Sequence, residues 1–173
     1  MLTKQYNAVL RSAITGDKIT LRNVTGSSYE GSIPLDSGTN YYFVTSTTAF
    51  KIPYLMQNRR TAYSNTSTSG FCFGTGTDTP TEDDYLFNTV IQLPSTVTVS
   101  VKFEQDGTEY KATYTLVNSS NGDITVNEVA LVGCCRIGNN TPSYLIDRTL
   151  LDEPITIPAN GGVGQIVYTV NIP

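Results

Sequence analysis

The sequence predicts an all-β fold: an antiparallel β-sandwich, jelly-roll or immunoglobulin-like, with a short N-terminal helix. Three observations carry this reading. Apolar and polar residues alternate with period two through the last third of the chain, as in half-buried strands. Turn-forming clusters of Gly, Asn, Asp and Ser separate the apolar runs at short spacing, the pattern of a sandwich or barrel. An Asp106-Gly107 pair, a favoured hairpin turn, sits between two of the cleanest runs.

In chain order, residues 1–16 read as an N-terminal arm or helix and 17–173 as a single β-sandwich domain. Leu2, Tyr6, Val9, Leu10 and Ala13 make an apolar stripe at helical spacing, with Thr3 placed to cap it and Gly16 to end it. A helix this short needs a surface to lie on, either its own domain or a neighbouring subunit. Leu2, Tyr6, Val9 and Leu10 are therefore candidate assembly contacts. Lys18–Val24 and Tyr29–Ile33 read as short strands around the turn Thr25–Ser28, and Tyr41–Phe50 as a β-branched and aromatic strand. Residues 51–79 form an irregular loop region, of which Lys51–Ser69 is a candidate bridge between copies. Thr79-Pro-Thr-Glu82 matches a capping box and predicts one or two helical turns through Leu86. Thr96–Phe103 and Glu109–Val117 flank the hairpin. Tyr110, Ala112, Tyr114 and Leu116 share one face of the second strand. Ile124–Gly133 follows, with a one-residue phase slip that places a β-bulge near Asn127-Glu128. Gly164–Ile172 closes the chain, with Ile166, Tyr168, Val170 and Ile172 inward and Val167 outward.

Composition removes several function classes. There is no His, so His-based triads, metal sites and neutral-pH general bases are out of reach. Net charge is −4 with no basic run longer than Arg59-Arg60, which argues against nucleic acid as a partner. No apolar run approaches membrane-spanning length, and Met1-Leu2-Thr3-Lys4 is not followed by a signal-peptide core. The expectation is synthesis in a cytoplasm and no membrane partner. No phosphate-binding or dinucleotide-binding glycine motif is present, and no cofactor is expected. Cys72, Cys134 and Cys135 read as free, buried or half-buried thiols, because adjacent strand residues face opposite sides.

The carboxylates Glu104, Asp106, Glu109, Glu128, Asp147, Asp152 and Glu153 are the pool from which a two-acid hydrolase would be drawn. Most lie in or beside turns, where solvated charge is expected. Glu128 and Arg148 differ: both sit among apolar neighbours and are expected to form an ion pair tying two strands together. Asp78, Asp83 and Asp84 carry oxygens suited to calcium, but their spacing is not that of an EF-hand, and a helix start accounts for them. The Asn-X-Ser/Thr triplets at Asn23, Asn65, Asn118 and Asn139 match the glycosylation pattern and are expected by chance in a chain rich in these residues.

Several of these segments recur in a set order. Gly74-Thr-Gly-Thr-Asp-Thr-Pro80 leads to Asp83, Asp84 and Leu86. Leu116-Val-Asn118 ends a strand, and Ile124-Thr-Val-Asn-Glu-Val-Ala-Leu131 begins the next. Leu145-Ile-Asp-Arg-Thr149, Pro154-Ile-Thr-Ile157 with Gly161, and Val167-Tyr-Thr-Val-Asn-Ile172 follow. This order resembles a family of small tailed-phage virion proteins. The likeness covers Gly74 to the end, with Ala130 where Gly is common, and does not extend to residues 1–73. It implies a non-enzymatic building block of the particle (head decoration, neck or tail). Its partners would be other virion proteins and, through homo-oligomerisation, further copies of itself. A receptor- or glycan-binding adhesin module is the alternative, leaning on the Tyr residues of the 41–63 region.

Overall fold

The computed structural model describes residues 2–33, 70–85, 87, 89–135 and 137–171. The expected strand Tyr41–Phe50, the bridge Lys51–Ser69 and the Tyr-rich 41–63 region lie outside these.

The protein is an all-β sandwich with a short N-terminal helix. Helix α1 (Lys4–Thr15) precedes strands β1 (Ile19–Arg22), β2 (Ser28–Gly31), β3 (Gly70–Gly74), β4 (Val97–Asp106), β5 (Glu109–Asn118), β6 (Ile124–Cys134), β7 (Ser143–Ile157) and β8 (Gly162–Asn171). All pairings are antiparallel. One sheet has the order β3-β6-β7, the other β4-β5-β8, and β1-β2 form a separate hairpin. The β6–β7 hairpin lies in one sheet while the strands on either side of it, β5 and β8, pair in the other.

Aromatic rings join the two layers. Phe71 of β3 stacks on Tyr114 of β5 at 4.0 Å between centroids, and Phe73 meets the same ring edge-on at 5.8 Å. Tyr168 of β8 closes on Phe71 at 5.0 Å. Leu116, Val126, Leu131, Ile157 and Ile166 complete a fully buried interior. Each such side chain stabilises the fold by about 1.5–3 kcal/mol through removal from water.

The expected irregular region ran to residue 79, yet Gly70–Gly74 is a strand with every residue buried. Its inner face holds Phe71 and Phe73. Its outer face holds Cys72, in a second cluster with Val24, Phe87, Ala130, Val132 and Leu145. A strand covered on both sides carries no alternation to read. All three cysteines are buried free thiols.

The hairpin between β4 and β5 pairs Asp106 with Glu109, so its loop residues are Gly107 and Thr108, not Asp106 and Gly107. Gly107 has φ 57° and Thr108 is not in the positive-φ region, which matches a type II′ turn. The expected bulge is found: register shifts between Val126 and Glu128, and a second shift follows between Leu131 and Val132.

Helix α1 lies on its own domain. Thr3 is the N-cap and Gly16, at φ 76°, the C-cap. Thr3 is fully buried; its amide donates to Ile146 O at 2.9 Å and its hydroxyl donates to Leu145 O. Ser12 accepts from Ile33 N–H at 3.1 Å, and Gln5 Oε1 from Arg22 N–H at 2.9 Å. Val9 is fully buried in the main core, so it is withdrawn as an assembly contact. Tyr6 and Leu10 are half-buried, and Tyr6 packs against that core. Leu2 remains 39% exposed and bridges to Asp147 of β7.

Candidate functional site

The residues singled out in the sequence converge on one corner of the β3-β6-β7 sheet. Glu128 follows the first irregularity of β6, and Arg148 lies on β7. Their strand partners are Leu150 and Ala130 respectively, so the two side chains are diagonal neighbours on one face. Arg148 Nε donates to Glu128 Oε2 at 2.6 Å. The expected strand-tying ion pair is therefore present.

The pair belongs to a larger network. Glu128 is fully buried, and its Oε1 accepts from Gly76 N–H at 3.0 Å and from the Thr89 hydroxyl. Arg148 directs Nη1 to Asp84 Oδ2 at 3.0 Å and Nη2 to the Asp78 carbonyl at 3.1 Å. One planar guanidinium thus fastens β6, β7 and the 78–84 segment, a task suited to its rigid fork of donors. Next to Glu128, Asn127 donates from Nδ2 to Thr75 O at 2.8 Å. The bulge therefore grips the Gly-Thr-Gly segment twice.

That segment is built around the carboxylate. A Cβ on Gly74 would come within 2.7 Å of Glu128 Oε1 and 2.8 Å of Phe87, and one on Gly76 would overlap the carboxylate outright. These glycines provide space for a side chain rather than an unusual φ. Thr75 N–H donates to Thr89 O at 3.0 Å and Ile91 N–H to Phe73 O at 2.8 Å, so the 89–91 segment covers the free edge of β3.

The described residues 79–85 do not form the expected helix. The segment turns at Glu82–Asp83. Asp84 accepts from Thr81 N–H at 3.1 Å and Thr81 Oγ1 at 2.8 Å, folding the chain back on itself before presenting its other contact to Arg148. A local side-chain-to-backbone bond competes with helix formation here, as Asp often does. Glu82 and Asp83 both pair with Lys4 at 2.9 Å. The three acidic residues once grouped by sequence are therefore used separately: Asp78 through its carbonyl, Asp83 on Lys4, Asp84 on Arg148.

Electrostatics follow the geometry. Burial works to raise the Asp84 carboxyl, but the bonds from Thr81 and the Arg148 charge outweigh it and hold it below the usual carboxylate range. Burial likewise opposes the Arg148 charge, and Glu128 and Asp84 more than offset it, pushing the guanidinium above its ordinary value. Lys4, between two carboxylates, is pushed up to about 12. A cleft of about 320 Å³ opens over Asp84 and Arg148, lined also by Asp78, Thr81, Asp83, Tyr85 and Thr89. Glu128 lies beneath this surface, out of contact with solvent.

Three further buried polar centres escaped the sequence reading. Asn118, at the end of β5, is fully buried. It donates to Gly122 O at 2.8 Å and Ile157 O at 3.1 Å, and accepts from Ser120 N–H at 3.1 Å and Ser120 Oγ at 2.6 Å. Asp147, grouped by sequence with turn carboxylates, is 6% exposed and accepts from Tyr168 OH at 2.6 Å and Thr149 Oγ1 at 2.9 Å. Burial and the Asp147 charge together push the Tyr168 phenol well up. Asn23 is also fully buried, with Oδ1 accepting from Thr25 and Ser27. The triplets at Asn23 and Asn118 are thus turn-locking amides with no room for a glycan.

Comparison with family models, curated proteins and solved structures finds no match.

Proposed function

We propose that this chain is a non-enzymatic structural component of a tailed-phage virion, working through repeated protein–protein contacts. The observation that carries the reading is convergence. Gly74-Thr-Gly76, Asp84, Glu128 and Arg148 come from separate segments of the virion-like order, and they meet in one partly buried network. A carboxylate sealed from solvent, with both oxygens engaged, braces loops against a sheet. That is the demand on a building block whose surface must present the same shape in every copy. The mostly uncharged strand surfaces of β5 and β8 suit packing against neighbours.

The test is sedimentation of particles from cells carrying the gene, followed by mass spectrometry across the gradient. The protein is expected in the particle band at a fixed ratio to the major particle protein. Particles that lack it, with the protein confined to the soluble fractions, would overturn the reading.

A further inference from the structure

The free sheet edges of the sandwich are not alike. An exposed strand edge is a template for pairing with another chain, and proteins usually block it with charge, proline, bulges or a covering segment. The β3 edge is covered by residues 89–91. The free edge of β7 carries Asp147, Arg148, Asp152, Glu153 and Pro154, two register shifts, and the bridge to Leu2. Strand β4 carries Lys102, Glu104 and Asp106, the first two ion-paired at 2.9 Å.

Among the described residues, strand β8 has none of these devices. Its ten residues, GVGQIVYTVN, include no charge and no proline. Its ladder to β5 runs without a register shift from Gly162 to Asn171. Among the described residues no strand lies beyond it. Its outward face shows Val163 at 60% exposure and Val167 at 55%, two of the four large apolar residues exposed in the described protein.

The outward pattern is also symmetric. Val163, Gln165 and Val167 alternate along the strand, so these three outward residues are symmetric about Gln165, with Thr169 lying beyond them. We propose that two copies of this chain pair antiparallel along their β8 edges, with Gln165 opposite Gln165 of the second copy and Val163 opposite the second copy's Val167. A two-fold axis through Gln165 generates both valine pairs at once, as an isologous interface requires. The three-stranded sheet becomes a continuous six-stranded one, and the backbone groups along both edges, which no described strand pairs, are satisfied. Cross-strand apolar pairs of this kind stabilise antiparallel ladders. The inference rests on the strand edge and stands whether or not the protein belongs to a virion.

Light scattering on a size-exclusion peak, over a wide concentration range, should find a dimer. Val163 and Val167 face solvent in the monomer, so changing them spares the core. The double variant V163K/V167K sets like charges opposite each other twice and should be monomeric. The double variant V163K/V167E sets opposite charges together in the proposed register and should dimerise again. Gln165→Cys should cross-link to itself under mild oxidation, because directly opposed strand residues lie within disulfide reach. Circular dichroism confirms that each variant is folded. A wild-type protein that stays monomeric at all concentrations, with no cross-link at 165, would overturn the proposal. So would an oligomer that V163K/V167K leaves intact, or a V163K/V167E protein no better paired than V163K/V167K.

Discussion

Two buried polar corners hold the loops of this sandwich, and they solve the same problem differently. At one, Asn118 closes the 118–123 turn and ties it to Ile157 with a single neutral amide that uses both its donors and accepts twice. At the other, Glu128 closes the Gly-Thr-Gly turn, but its charge requires Arg148, and Arg148 in turn engages Asp84 and Asp78. The amide corner is self-contained. The charged corner recruits chain segments up to 70 residues apart, because a buried ion must be both paired and hydrogen-bonded. Neutral polarity locks a turn locally, whereas buried charge organises a region.

This contrast predicts a ranking of mutational costs. Glu128→Ala leaves the Arg148 guanidinium without its closest partner and should lower the unfolding free energy by about 3–5 kcal/mol. Arg148→Lys should not hold the network, since one ammonium lacks the fork that serves three acceptors. Denaturant titration measures both. If Glu128→Ala costs less than a change at Asn118, the contrast fails. Asn118→Ala strands buried carbonyl and amide partners and should cost about 2–3 kcal/mol, with no added dependence on pH.

Gly76→Ala drives a methyl into the Glu128 carboxylate and should cost about 1–3 kcal/mol. Combined with Glu128→Ala it should cost less than the sum, a coupling that a double-mutant cycle reads directly. A strictly additive pair would mean that the glycine serves some other purpose.

The smallest effect sharpens the comparison through pH. Asp84 is held below its ordinary value of 3.8, so its charged form is favoured in the folded state. Its contribution is full above that value and is lost as pH falls through the lower folded one. Asp84→Asn should therefore cost about 1 kcal/mol at neutral pH. The difference from wild type should vanish in acid below the folded value. Urea melts between pH 2 and 7 test this, and a difference that persists unchanged into acid would contradict it.

The strands on the sandwich's open faces were legible in the sequence because one side of each meets water. Tyr110, Ala112, Tyr114 and Leu116 announced the inner face of β5, and Ile166 and Tyr168 that of β8. Strand β3 was not legible, because Cys72 points into a second cluster and no polar residue marks an outer face. The ion pair was half legible. Glu128 and Arg148 stood out among apolar neighbours, but the space made by Gly76 and the reach of Asp84 depend on tertiary approach. Asp84 was misread for a definite reason: carboxylates just after a capping-box match at Thr79–Glu82 suit the first turn of a helix, and the bonds from Thr81 that fold Asp84 into a turn instead have no separate signal in the sequence. Thr3 was read as a cap, but its second role, a hydroxyl bonded to a strand far along the chain, leaves no local signature.

That last contact bears on how the molecule comes into being. Thr3 meets Leu145 across 142 positions of sequence. A chain synthesised at about 5–20 residues per second therefore holds α1 only by its nearer bonds to Arg22 and Ile33, without the β7 contact, for on the order of ten seconds. A twelve-residue helix does not persist alone over that interval. The Thr3 end of α1 is thus among the last parts to be set in place, and its closure awaits the arrival of β7. Pulse-labelling of backbone amides during refolding should find those of α1 gaining protection no earlier than those of β7.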